Sequence, residues 1–434
     1  MFLHLGRTPT LVVSSAKVLN EIMKNHELTF SNRFQTTAMR ILMYGRNNIG
    51  FQNYGENWKQ KRNICVHELL SPKMMQSIRL IREEEVMKLV NNNLREAINN
   101  GSDVNLSEMI FDTLNSITCK CVLGCNTQDY GYENAKGLAR KMINQLGVLT
   151  LGDHFPWLSW VEDVLSGQVQ EFKETFGAFD ALYDEVIVKK HKKKKMRTEN
   201  HHENSFVDIL IQLQEDGHYD LSNGDIKGII MDLFAAGSAT TSAVVEWAMT
   251  ELMKNPITMK KAQEEVRRVV GQKCIAEESH INKMEFLKYV VKETLRLHPS
   301  APLLLPRETS TSVKLNGYDI PEKTMVCVNV WAIQRDPEYW ERAEEFIPER
   351  HEHSKVRYNG QDSQFAPFGF GRRGCLGMSF ALDSAEYMLA NLLCCFNWNM
   401  PPQGIDITEA DGLVSAMKFP LHLNPIPFSF KQEQ

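Results

Sequence analysis

Residues 366–381 read APFGFGRRGCLGMSFA, and two chemistries compete for them. Gly369, Gly371 and Gly374 spell G-x-G-x-x-G, the pattern of a loop that cradles a dinucleotide pyrophosphate. Cys375 follows at once, inside the spacing F-x-x-G-x-R-x-C-x-G. A dinucleotide loop needs a buried strand before its first glycine, and an acidic residue about 20 residues beyond. The preceding YNGQDSQFAPF is polar and broken by Pro367, and a long helical stretch occupies the place of the second strand. That context argues against a nicotinamide dehydrogenase. A metal-bound thiolate explains more of the residues. Cys375 is expected to begin a helix, whose N-terminal N–H groups stabilise a sulfur anion. Gly374 and Gly377 let the backbone curl beneath the sulfur, Phe368 covers it, and Arg373 offers a cation to an acidic group nearby.

The bulk numbers agree with a large globular enzyme. The chain has 434 residues, 43% hydrophobic and 24% charged, with net charge −5. Such a surface does not advertise nucleic-acid binding. The nine cysteines are odd in number and scattered, which speaks against a disulfide framework. Cys119, Cys121 and Cys125 cluster without a fourth ligand at zinc-site spacing, and read as thiols in a reducing compartment. No uninterrupted apolar run reaches the ~18 residues of a membrane helix. The opening MFLHLGRTPTLVVSS reads like the middle of a domain, so the chain is expected to begin downstream of a natural start.

The fold class expected is mainly α with small β-sheets (α+β). Helical periodicity dominates from residue 14 to 299, with β-rich segments near 1–13, 303–330 and 412–427. The Asn-Gly pair in SVKLNGYDI signals a hairpin, and a second one is expected in GLVSAMKFPLHLNP. No repeat or linker divides residues 1–434, which read as a single domain. The basic run Lys189–Arg197 reads as a solvated loop, together with His201 and His202.

The ten-residue cysteine pattern resembles the haem-binding loop of the cytochrome P450 superfamily. Further stretches resemble its plant microsomal branch over essentially the whole chain: SNRF, YGENWKQKRNICVHELLS, KETLRLHP, WAIQRDPEYW. The resemblance implies a long central helix over haem b, with the cysteine loop on the other side and Cys375 as the axial ligand of the iron. It implies cofactor contacts from Trp58, Arg62, Arg307, Arg373, Phe368, Gly369, Gly377 and Ala236, the arginines and Trp58 on the propionates. It implies a buried structural triad of Glu293, Arg296 and Arg350. His351 stands where the family often has Phe.

SNGDIKGIIMDLFAAGSATTSAVVEWAMTELMKNP reads as one helix, capped by Ser222 and ended by Pro256, spanning roughly 45 Å. Its centre, Ala236–Thr241, resembles the family's A-G-x-[D/E]-T-T. Thr240 matches the alcohol that attends dioxygen, but Ala239 stands in the place of the acid that helps deliver protons. Asp232 and Glu246 are each roughly 10 Å away along the axis. Ala239 is read as altering coupling, the alternatives being a neutral or an engineered alanine. Asp232, Ala235, Ala236, Ala301, Leu303, Leu304, Val414 and Ser415 are expected to line the substrate pocket.

The resemblance implies a monooxygenase acting on a lipophilic plant metabolite, a terpenoid or phenolic. NADPH and flavins enter only through a partner, NADPH–cytochrome P450 reductase, docking near Cys375, where the basic NWKQKRN suits an acidic surface. It implies a monomer on the cytosolic face of the endoplasmic reticulum, held by an anchor this chain lacks. Two rivals stand beside it: a haem-thiolate isomerase or dehydratase that does not use dioxygen, and a non-catalytic haem or ligand binder.

Overall fold

The computed structural model describes residues 1–45, 47–99, 103–125, 132–158, 166–196, 205–273, 275–358, 360–402 and 404–428. Helices dominate, and three small sheets flank them. The largest sheet has five strands in the order Phe2–Leu5, Thr8–Val13, Met325–Val328, Arg307–Glu308, Asn32–Arg33. Thr8–Val13 runs parallel to Met325–Val328, and the other pairs are antiparallel. The expected hairpin forms between Val313–Leu315 and Tyr318–Ile320. Its turn residues Asn316 and Gly317 both take positive φ, 48° and 85°, as an Asn-Gly turn requires. The second expected hairpin is corrected. His422–Pro427 pairs with Phe396–Asn399 and Val104–Asn105 instead, while residues 409 and 417 share only a single bridge.

The central helix is capped as its sequence implies. Ser222 Oγ accepts the N–H of Asp225 (3.1 Å), and the Asp225 carboxylate accepts the N–H of Ser222 (2.9 Å). The helix is not continuous. It runs Asn223–Gly237, breaks at Ser238, and resumes as Ala239–Lys254. Hydroxyls compete for the carbonyls there: Thr240 Oγ1 donates to Ala236 O (2.6 Å) and Ser242 Oγ to Ala239 O (2.9 Å). Residues 223–254 are long and apolar enough to cross a membrane by length and composition alone. Ile226, Ile229, Ile230, Met231, Phe234 and Trp247 are nevertheless buried in the main core.

A second core joins Leu11, Val13, Val326 and Val328 of the large sheet to Ala366 and Phe370 of the cysteine loop. The loop is thereby fixed to a rigid sheet. The lysine run is also corrected. Lys189–Met196 form the last turns of the helix Gln168–Met196, where cations suit the helix C-terminus. Lys190 reaches Asp208 at 2.7 Å. Arg197, His201 and His202 lie outside the described residues.

Candidate active site

One cavity of about 330 Å³ lies between the central helix and the cysteine loop. Asp232, Ala235, Ala236, Thr240 and Thr241 line it from the helix, and Phe368, Gly369, Arg373, Cys375 and Gly377 from the loop. Trp58, Arg62, Arg307, Ala301, Leu304 and Val414 complete the expected residues found on its wall.

Cys375 lies three residues before its helix, Met378–Cys395, rather than at its start. Its N–H donates to Phe368 O (2.8 Å), closing the loop. The side chain is enclosed by protein, and its free surface is cavity surface. Burial pushes the thiol up from its ordinary value, against the Gly377 N–H and the Arg62 cation, both of which favour the thiolate. The glycines that need their freedom are Gly369 (φ 72°) and Gly371 (φ 60°), and a Cβ on Gly371 would also press on the Glu27 carboxylate. Gly374 has no positive φ, but a Cβ there would lie 3.2 Å from Gly371 O, so the close approach suits glycine as expected; Gly377 has no positive φ and a Cβ there would meet open space.

At the cavity's edge sit four arginines: Arg33, Arg62, Arg307 and Arg373. Burial pushes Arg373 down to about 8, helped by repulsion from Arg33 and Arg62, with Asp232 opposing. Burial and repulsion from Arg33 and Arg373 push Arg307 well down. Arg307 Nε is buried with no hydrogen-bond partner. A cluster of buried cations short of anions, at the rim of a cavity with a thiol in its wall, fits an apolar macrocycle carrying two carboxylates.

Several expected contacts differ. Trp58 is on the wall, but its indole N–H donates to Ile49 O (3.1 Å) and is not free for a carboxylate. Its ring lies under the Arg373 guanidinium, 4.3 Å from the centroid. Arg62 donates to Gly374 O (3.2 Å), bracing the cysteine loop. Leu303 is 47% exposed and off the wall, because Leu304 takes a positive φ of 51° that turns the chain there. Leu304 and Leu305 face the cavity instead. Ser415 lies behind the wall, its N–H donating to Ser300 O (2.9 Å) and its carbonyl accepting from Trp247. Ala239 is off the wall and packs against the main core. Asp232 is on the wall, but its carboxylate is engaged by the N–H groups of Ile49 and Gly50. The basic helix Glu56–Ile64 buries one face, with Trp58, Lys61 and Ile64, and exposes the other. Lys61 is buried against Asp225 (2.6 Å), leaving Lys59 exposed beside Glu56.

Behind the loop, Glu293 is fully buried. Arg296 donates to both its oxygens (2.9 Å each), Arg350 Nε to Oε1 (2.8 Å), and the Ile347 N–H to Oε1 (3.0 Å). His351 Nε2 approaches Oε2 at 2.9 Å as a fourth side chain. Burial alone would raise Glu293, yet His351 and Arg296 hold it down at about 2. Burial lowers His351, so the neutral ring donates through Nε2. Sequence reasoning noted the unusual residue at 351 without giving it a partner. It also missed Arg33, Ser300 and Thr241, whose positions on the wall only the assembled helices and strands reveal.

The profile of the family described as Cytochrome P450 matches residues 1–422. The phenylacetaldehyde oxime monooxygenase of Prunus mume is 43% identical, over 99% of this chain and 83% of the relative. Cytochrome P450 71A1 of Persea americana is 44% identical, over 98% and 86%. Costunolide synthase of Lactuca sativa is 39% identical, over 98% and 86%. Among solved structures, a zebrafish cytochrome P450 with progesterone superposes with TM-score 0.83, covering 99% of this chain and 96% of the other at 23% identity.

Proposed function

Because the chain belongs to the cytochrome P450 family, we propose that it is a haem-thiolate monooxygenase oxidising a lipophilic plant specialised metabolite, a terpenoid or a phenolic. The observation that carries this reading is a single cavity with the Cys375 thiol in one wall, the Thr240 hydroxyl in the other and buried arginines at its edge. Two relatives named above, an oxime monooxygenase and a costunolide synthase, support a small apolar substrate. Electrons come from an NADPH-dependent reductase, as the family implies. A monomeric state and placement on the cytosolic face of the endoplasmic reticulum belong to the same proposal.

Bound haem b supplies dioxygen activation and C–H oxidation. Cys375 is the residue that would hold its iron, while Arg307, Arg373 and Arg62 would meet its carboxylates. Phe368, on the same wall as Cys375, would shield the sulfur side; its ring is edge-to-face with Tyr358 (5.8 Å between centroids). The opposite wall holds the protons. Thr240 Oγ1 carries one, parked on Ala236 O, and Thr241 Oγ1 is buried with no partner. Ser300 Oγ donates to Thr240 O at 2.9 Å, setting a third hydroxyl beside them. Ala239 carries none.

An Ala239→Asp variant therefore releases several-fold less peroxide per NADPH consumed, measured beside product yield. An unchanged ratio means that the hydroxyls on the wall suffice without the acid. The missing acid also favours, as a second reading, an isomerase or dehydratase that does not use dioxygen. Turnover with the reductase under labelled dioxygen separates the two. One labelled oxygen atom per oxidised product is expected, and turnover in the absence of dioxygen and NADPH overturns the monooxygenase reading.

A further inference from the structure

The peptide joining Ile49 to Gly50 is held at both ends by side chains of opposite charge. At its N–H end, Asp232 of the central helix accepts from Gly50 (3.2 Å), and the same oxygen accepts from the N–H of Ile49. At its C=O end, Ile49 accepts from Arg373 of the cysteine loop (3.2 Å) and from the Trp58 indole (3.1 Å). Arg33 donates to the next carbonyl, Gly50 O, at 2.9 Å, and Arg373 also reaches Gln52 O at 2.5 Å. A carboxylate, a peptide and a guanidinium thus form one chain of charge-assisted hydrogen bonds from one wall of the cavity to the other.

Close packing leaves this segment little room to slide. A Cβ on Gly228 of the central helix would overlap Asn47 O, and one on Gly50 would lie 3.0 Å from Asp232 Oδ1. Asp232 is enclosed in the protein. Burial raises it to about 7, against the two N–H groups, Lys61 and Arg373. Keeping a carboxylate in such a place is unfavourable unless its bonds are made.

We propose that Asp232 is a positioning residue for the cofactor seat. It orients the Ile49–Gly50 peptide, and that peptide orients Arg373 and Trp58 at the cavity's edge. Asp232 acts through this peptide, not as an anchor for a polar group of the substrate. The inference rests on the reading of Arg373 as a partner of the haem carboxylates.

The test is the rate at which ferric holoprotein loses haem to excess apomyoglobin, together with its ferric–ferrous potential. The wild-type ferrous–carbon monoxide spectrum is recorded first. Absence of a thiolate-type band there refutes the haem reading itself, separately from this inference. Asp232→Ala is expected to release haem about tenfold faster and to shift the potential, on the scale of losing hydrogen bonds to a charged acceptor. Asp232→Asn keeps an oxygen to accept both N–H groups, and is expected to stay within about twofold of wild type. Glu246→Gln is the control: this buried acid on the following helix segment, Ala239–Lys254, bonds Ser107 and the Met417 N–H and is off the cavity wall. It is expected to lower the denaturation midpoint without speeding haem release. Should Asp232→Ala fail to accumulate, Gly50→Ala presses on the same carboxylate and is expected to speed release in the same way. Wild-type release from Asp232→Ala, or from Gly50→Ala in its stead, overturns the proposal. So does release from Asp232→Asn as fast as from Asp232→Ala, since Asn keeps an acceptor for both N–H groups and orienting the peptide would then not be what Asp232 supplies.

Discussion

Replacing Cys375 with serine abolishes the thiolate-type red-shifted band of the ferrous–carbon monoxide complex and lowers turnover by more than about 100-fold. The scale follows because losing an outer partner of a metal ligand already reduces affinity or activity ~10–100-fold. The fold is expected to survive, since the bond closing the loop runs from the Cys375 backbone N–H to Phe368 O and serine keeps it. Cys65 makes the result discriminating. It is a second thiol on the same cavity wall, completely buried, and burial also pushes its thiol up. Cys65→Ser is expected to retain the band. Loss of the band in Cys65→Ser with retention in Cys375→Ser would reassign the ligand.

Glu293→Gln is expected to give the largest loss of stability. The substitution leaves Arg296, itself fully buried, without the anion that holds it, and takes the charge-assisted bond from Arg350. Breaking one side of a buried ion pair costs about 3–5 kcal/mol, a large part of a typical ~5–15 kcal/mol total. Denaturant unfolding measures it directly. The pH dependence has a definite sign. Glu293 is held at about 2, below its ordinary 4.5. Its contribution is therefore fully present above pH 4.5 and disappears as pH falls through 2. The Gln variant lacks that segment of the acid-unfolding curve. An unchanged curve would show that the carboxylate is not ionised in the fold.

The two triad arginines stand where the sequence places them because E-x-x-R and P-E-R are local patterns. Arg296 lies one helical turn beyond Glu293, and Arg350 is brought in by a short 3-10 turn, Pro348–His351. His351 was visible as an oddity but not as a partner, since its neighbour is 58 positions away. The cysteine loop was legible for the same local reason, although the glycines that need positive φ are Gly369 and Gly371 rather than Gly374 and Gly377. Helical periodicity predicts one run through Ser238, where the helix breaks; the local feature that loosens it is the Thr240 hydroxyl, which bonds the carbonyl four residues earlier.

From sequence alone come the family, the cofactor and the reaction class. These follow from short patterns of side chains whose chemistry does not depend on what lies across the cavity. Only the tertiary structure decides that Trp58 bonds a carbonyl, that Leu303 turns outward, that Lys61 faces inward, and that Asp232 grips the Ile49–Gly50 peptide. Lys61 and Asp232 find their partners in distant parts of the chain, and Trp58 finds its partner nine positions away. For Trp58 and Asp232 that partner is a backbone group, which every residue carries alike and which no sequence pattern can mark.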